Sequence, residues 1–110
     1  MSDPKLDGVL AKLRVDYAAH LPGSVAEMEE LWRRLVAGEA PQSELEALVR
    51  MVHSVAGSGT TFNFPEASRV ARALELLLDP FRQQGRLPDP AAQDGVVALL
   101  DELRQVAVLP

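Results

Sequence analysis

The length, composition and charge of the chain exclude several classes of protein. With 110 residues, 47% of them hydrophobic, it fits one small domain that buries a core, and its apolar stretches are too short to cross a bilayer. A net charge of −5 without a clustered Lys/Arg run argues against nucleic acid or anionic membranes as partners, and the lack of cysteine and of a signal-peptide pattern agrees with a cytoplasmic location.

The first part of the chain predicts two helices separated by a break. Apolar residues at i, i+3 and i+4 spacing over residues 6–21 predict a short first helix. We expect Pro22 and Gly23 to interrupt it, because proline removes a helical hydrogen bond and glycine has a low helix propensity. Ser24 begins a capping-box pattern that opens a second helix, predicted to end near Ala37.

Three further helices follow, and no segment has the pattern of a strand. One is predicted to begin near Ser43, the next to cover residues 65–84 with a kink or an end at Pro80, and the last to begin after Asp89 as its N-cap. Short connections between amphipathic helices predict one all-α domain covering the whole chain. We expect an antiparallel up-and-down four-helix bundle, with its core over about residues 22–108, and an additional short N-terminal helix.

His53 is the most informative residue of the predicted third helix. Gly57 follows it at i+4 and Gly59 comes two residues later, although glycine inside a helix costs about 1 kcal/mol relative to alanine. On a helical wheel His53 falls at the border of core and solvent, with Gly57 beside it and Arg50 further toward water. The glycines therefore suggest that this face needs open space around the imidazole.

The next helix is predicted to bring a carboxylate to this histidine. Residues 62–65 contain an asparagine and a proline and predict the turn between the two helices. His53 and Glu75 are equally far from Phe64, so an antiparallel hairpin places them level, with Arg72 one turn away on the same face. A carboxylate bonded to one imidazole nitrogen sets the tautomer and leaves the other nitrogen nucleophilic.

These residues resemble a known family, the histidine-containing phosphotransfer (HPt) domain of bacterial two-component phosphorelays. The resemblance lies in residues 53–58 (His-Ser-Val-Ala-Gly-Ser), residues 62–64 (Phe-Asn-Phe) and the pair at residues 74–75 (Leu-Glu). The predicted bundle extends it over nearly the whole chain. Two positions depart from the family pattern: Ala56 stands where the family has lysine, and Asn63 where it has glycine.

The resemblance implies a phosphocarrier rather than a self-sufficient enzyme. His53 would accept a phosphoryl group from the aspartyl-phosphate of a receiver domain or from a histidine kinase, and pass it to another receiver. Glu75 would orient the imidazole, Gly57 would leave access to it, and Arg72 is a candidate for the missing positive charge. Mg²⁺ would belong to the receiver, so the chain needs no metal or cofactor of its own, and we expect a monomer. The expected docking residues are Arg50, Ser54, Ala56, Ser58 and Thr61.

Two other functions remain open at this point. A helical adaptor could bind a receiver or a histidine kinase without carrying phosphate, and Ala56 in place of lysine favours it. The second open possibility is a generic helix bundle that associates with itself. A phosphate-binding loop over residues 57–61 is excluded, because no strand precedes it and the Gly-Lys-Ser/Thr ending is missing. Two distant histidines without cysteine also make a poor metal site.

Overall fold

Four helices, and no strand, form the parts of the chain that the computed structural model describes, which are residues 3–38 and 41–108. All-α architecture is therefore confirmed. Neighbouring helices pack on one another in sequence order, and the last also packs on the first. The helices are α1 (Pro4–Val36), α2 (Pro41–Ser58), α3 (Pro65–Gln84) and α4 (Pro90–Val106).

The first helix is longer than predicted. α1 runs without a break through Pro22 and Gly23, so the separate short N-terminal helix is wrong, and Ser24 lies inside α1 rather than at a cap. The observed N-cap is Asp3, whose carboxylate accepts a hydrogen bond from the Lys5 amide at 2.9 Å. Proline inside a helix costs about 3 kcal/mol. Burial of apolar side chains on both sides of the proline offsets this cost.

The later helices begin and end close to their predicted positions. α2 begins at Pro41, two residues before Ser43. α3 covers the predicted Pro65–Gln84 and continues through Pro80 instead of ending there. Asp89 caps α4 as predicted, because its carboxylate accepts from the amide three residues later at 2.9 Å. Of the predictions for these three helices, only the possible end of α3 at Pro80 is wrong.

The core of the bundle is mainly aliphatic, as the scarcity of aromatic residues indicates. It draws on all four helices, and among the described residues no buried side-chain nitrogen or oxygen lacks a hydrogen-bond partner. No described helix is both long and apolar enough to span a bilayer. The largest fully buried side chains include Met28, Leu35, Leu45, Leu48, Leu74, Leu78 and Leu103.

α1 extends well beyond the other three helices. Its 33 residues correspond to about 50 Å, and the longest dimension of the molecule is 50 Å. The other helices have 17 to 20 residues and span only about 26–30 Å. Residues 4–16 of α1, which we call the overhang, are exposed apart from the partly buried Leu10.

Candidate functional site

His53 and Glu75 meet across the α2–α3 interface. The imidazole Nδ1 of His53 is hydrogen-bonded to the Oε2 atom of Glu75. The prediction that His53 and Glu75 lie level with each other on the two helices is therefore confirmed. The His53 side chain is 75% exposed, whereas that of Glu75 is 25% exposed. The carboxylate is thus held against the bundle, while most of the imidazole faces solvent.

This hydrogen bond determines which nitrogen of the imidazole is free. A carboxylate only accepts hydrogen bonds, so the Nδ1 atom of His53 carries the proton that it donates to Glu75. In the neutral ring, Nε2 then holds the lone pair. Because most of the side chain is exposed, the arrangement presents an oriented, nucleophilic nitrogen to a partner molecule.

The two glycines after His53 have different roles. Gly57 is exposed, and a Cβ atom built there would meet nothing within 4 Å, so the space beside His53 is open. Gly59 is buried, and a Cβ atom there would lie 2.9 Å from the carbonyl oxygen of Phe64 and 3.0 Å from the Cβ of Ser68. The space left by Gly59 is therefore occupied by α3 and its preceding turn, and does not serve the imidazole.

The α2–α3 turn, residues 59–64, closes tightly below the histidine. Asn63 adopts the left-handed conformation predicted for it, with φ of 70°. The Phe64 amide donates to the Gly59 carbonyl at 2.6 Å. Ser68, which sequence reasoning missed, donates its hydroxyl to the carbonyl oxygen of Ala56 at 2.6 Å. This buried bond fixes the start of α3 against the last turn of α2.

Arg72 approaches the position at which the family lysine is missing. Its Nη2 atom lies 3.4 Å from the carbonyl oxygen of Ala56, and no contact between Arg72 and His53 is found within the described residues. A cation at this place also suits the C-terminal end of α2, where backbone carbonyls lack helical partners. Arg69 is engaged elsewhere, because its guanidinium is hydrogen-bonded to Glu102 and Glu66. These bonds, the one to Glu102 most strongly, raise the pKa of the guanidinium.

The predicted docking residues differ in accessibility. Arg50, Ser54 and Thr61 are exposed and Ser58 is half-buried. Ala56 is only 4% exposed, so its prediction as a docking residue is wrong. Its small side chain packs into the core, and only its carbonyl takes part in polar contacts.

Tyr17 of α1 is the main site neighbour that sequence reasoning missed. Its hydroxyl lies 2.9 Å from the Oγ atom of Ser58, and Ser58 donates to the carbonyl oxygen of Ser54 at 2.7 Å, so Tyr17 is the donor of the first bond. Its ring stacks on Phe62 with centroids 4.7 Å apart. Tyr17 therefore ties α1 to the last turn of α2 and to the α2–α3 turn. The sequence does contain a signal for this role, which is a lone tyrosine in an aliphatic stripe. The hydroxyl of such a half-buried tyrosine needs a hydrogen-bond partner.

No grouping of metal ligands accompanies this site. Within residues 3–38 and 41–108, no three His, Cys, Asp or Glu side chains come together in a way that could hold a metal ion. His20, the second histidine, bonds through Nδ1 to the carbonyl oxygen of Asp16 in its own helix at 2.7 Å.

A helical bundle that presents an exposed histidine, held at one nitrogen by a carboxylate, has the arrangement expected of a histidine phosphotransfer module. The family model described as Hpt domain matches residues 12–106, so the chain belongs to the Hpt domain family and is a histidine phosphotransfer module of two-component signalling. Such domains interact with receiver domains and kinases in phosphorelays. No curated protein and no solved structure matches the chain.

Proposed function

We propose that the protein is a phosphorelay intermediate, accepting a phosphoryl group on His53 and passing it to the aspartate of a receiver domain. The observation that carries this proposal is the His53–Glu75 pair. Its exposed imidazole is held by one nitrogen only, on a chain that belongs to the Hpt domain family. The donor is the aspartyl-phosphate of another receiver, or a histidine kinase, and the protein acts in the cytoplasm.

The transfer uses the lone pair of Nε2. This nitrogen attacks the phosphorus of an aspartyl-phosphate; the N–P bond forms as the P–O bond breaks, and the aspartate carboxylate leaves with the electron pair. The Nδ1 proton stays on the ring, which becomes positively charged. The carboxylate of Glu75 is already bonded to that proton and stabilises the charge. Mg²⁺ belongs to the receiver's acidic site, and the chain itself contributes a nucleophile and a docking surface.

Arg72 supplies the positive charge that the family lysine provides elsewhere. The support is its position: the guanidinium lies beside the backbone of Ala56, on the face of α3 that carries Glu75 one turn further along. Arginine suits a phosphoryl group, since its planar fork donates two parallel hydrogen bonds. Arg50, one turn before His53 on α2 and exposed, is the second candidate.

The bundle is proposed to be antiparallel, with its helices running alternately up and down. The contacts between α2 and α3 support this order, because Ser68 contacts Ala56 while Glu75, further along α3, contacts the earlier residue His53. We expect the exposed residues Ser54, Gly57 and Thr61 to contact the receiver.

A phosphate-free adaptor is the alternative function. The observation that favours it is Ala56, buried where the family has lysine, which leaves no cation on α2 directly after the histidine. An adaptor would bind a receiver or a histidine kinase through the same face without any reaction at His53.

Intact-mass spectrometry distinguishes the two functions. The protein is mixed with a panel of phosphorylated receivers, and we expect one acid-labile phosphoryl adduct. His53→Gln should abolish the adduct, whereas the control His20→Gln should retain it, because His20 is bonded within its own helix. Binding of a receiver without an adduct, equally strong in His53→Gln, would establish the adaptor instead.

A further inference from the structure

The face of α1 that packs into the core continues beyond the bundle onto the overhang. Leu10 and Leu13 each stand about five helical turns before the buried residues Met28 and Leu31, so they lie on the same side of the helix. Leu6 extends this stripe toward the N-terminus. Leu6 is 55% and Leu13 44% exposed. This apolar face has no cover in the described structure, and most of it lies before residue 12, where the family match begins.

The charges beside this stripe are arranged to complement a reversed copy of themselves. Measured from the midpoint between residues 10 and 11, Lys5 mirrors Asp16 and Asp7 mirrors Arg14. On a helical wheel, Asp7 and Arg14 lie on one side of the stripe and Lys5 and Asp16 on the other. Two overhangs paired antiparallel about this midpoint therefore bring opposite charges together on both sides. In a parallel pair, Asp7 of one copy and Arg14 of the other would be about 10 Å apart along the axis and could not meet.

The length of the overhang fits the same pairing. About the same midpoint, Pro4 of one copy lies level with Tyr17 of the other, the residue whose ring stacks on Phe62 of the α2–α3 turn. The two overhangs overlap along their full length of about 20 Å, and the bundles lie beyond opposite ends of the overlap. Leu6, Leu10 and Leu13 of the two copies then face one another.

We propose that the overhang is a homodimerisation surface, on which two copies of this chain pair their α1 helices antiparallel. The proposal replaces the expectation of a monomer. It leaves the His53–Glu75 pair accessible, since that pair lies on α2 and α3 rather than on the overhang. The paired surface is small for a protein interface, so the dimer should dissociate at low concentration.

Analytical ultracentrifugation of the full chain over a range of concentrations tests the proposal. We expect a monomer–dimer equilibrium whose Kd rises at least tenfold in the double variant Leu6→Glu/Leu13→Glu. The matched control is Val97→Glu, because Val97 is 55% exposed like Leu6 but lies on α4; its Kd should be unchanged. A monomer at every concentration, or a dimer that tolerates the double variant, would overturn the proposal.

Charge exchange tests the antiparallel register. Arg14→Asp should raise the Kd several-fold, because it places two acidic residues at each Asp7–Arg14 contact. The double variant Asp7→Arg/Arg14→Asp should restore the Kd of the parent, and failure to restore it would contradict the pairing.

If the parent is monomeric but floats with phosphatidylglycerol vesicles, and Leu6→Glu/Leu13→Glu does not, the overhang binds lipid and the proposal is wrong. Phosphorylation of His53 should be the same in all these variants, so dimerisation and the proposed function can fail independently.

Discussion

The surface around His53 and the α2–α3 turn below it are adjacent but built in opposite ways. Around the histidine the structure is open: the imidazole is mostly exposed and a Cβ at Gly57 would touch nothing within 4 Å. At the turn it is closed, with Gly59 in contact with the backbone before α3 and Ser68 bonded to the end of α2. The imidazole is thus accessible on one side and rigidly supported on the other.

Substitutions in the two regions should have opposite effects. Changes in the open region should alter phosphotransfer while leaving stability nearly unchanged. Changes in the closed turn should alter stability first.

Gly57→Leu should produce the largest change, a fall of about a hundredfold in the rate of His53 phosphorylation. A large side chain at i+4 screens the imidazole and displaces an approaching receiver, and misplacement by about 1 Å can cost this much. The rate is measured by phosphoryl transfer from a phosphorylated receiver. Normal transfer in Gly57→Leu would show that the receiver does not need the open space.

Gly59→Ala should lower the free energy of unfolding by about 2 kcal/mol, because the new Cβ meets backbone and side-chain atoms that cannot both move away. Gly57→Ala is the matched control. The same substitution two residues earlier adds a Cβ in open space and should stabilise the protein by up to about 1 kcal/mol. Urea unfolding measures both values, and equal effects at the two glycines would contradict the contrast between the regions.

Glu75→Ala should slow phosphorylation of His53 roughly tenfold. The carboxylate stabilises the positive charge that the ring gains only during transfer, and a loss of about 1.4 kcal/mol of this stabilisation slows the reaction tenfold. Unfolding in urea should be nearly unchanged. Glu75→Gln keeps an acceptor for Nδ1 but loses the charge, so its phosphorylation rate should lie between those of the parent and Glu75→Ala. Unchanged kinetics in Glu75→Ala would remove the carboxylate from the mechanism.

Arg72→Gln should reduce the transfer rate a few-fold, since a single exposed charge contributes up to about 1 kcal/mol. Arg50→Gln is the comparison that decides between the two candidate cations. We expect the larger loss at Arg72, and the loss should diminish at high ionic strength. A larger loss in Arg50→Gln would show that Arg50 on α2, and not Arg72, supplies the positive charge.

Tyr17→Phe should have the smallest effect, a loss of about 0.5–1 kcal/mol in the free energy of unfolding. The variant keeps the stacking on Phe62 but removes the hydrogen bond to Ser58. Phosphotransfer should be nearly normal, because the bond supports the end of α2 without contacting His53. A stability equal to that of the parent would show that the hydroxyl is satisfied equally well by water.

The sequence anticipated the site better than it anticipated the first helix. The level of His53 and Glu75 follows from counting residues away from a turn, and the left-handed Asn63 confirms where that turn lies. The continuity of α1 was not predictable in this way. Local rules give the cost of Pro22 inside a helix, but the compensation comes from Leu21 and Val25, which are buried only because the other helices are present.

The glycines show the same limit at single residues. Gly57 and Gly59 look alike in the sequence, and both suggested space around the imidazole. Their difference depends on which atoms of other segments come near, and the turn and Ser68 approach only Gly59. Ser68 and Tyr17 were missed for the same reason, since each bonds to a residue distant in sequence.

By itself, the sequence determined the helical class, the turn before α3 and the pairing of His53 with Glu75, because these depend on periodicity and spacing within adjacent segments. Only the tertiary structure decided that α1 is one helix, that Gly59 is a packing residue, and that Arg72 lies beside Ala56. It also decided that the apolar stripe of α1 is core over one half and exposed over the other. The physical reason is that spacing sets the direction of a side chain from its own helix, while burial depends on which other helices reach it.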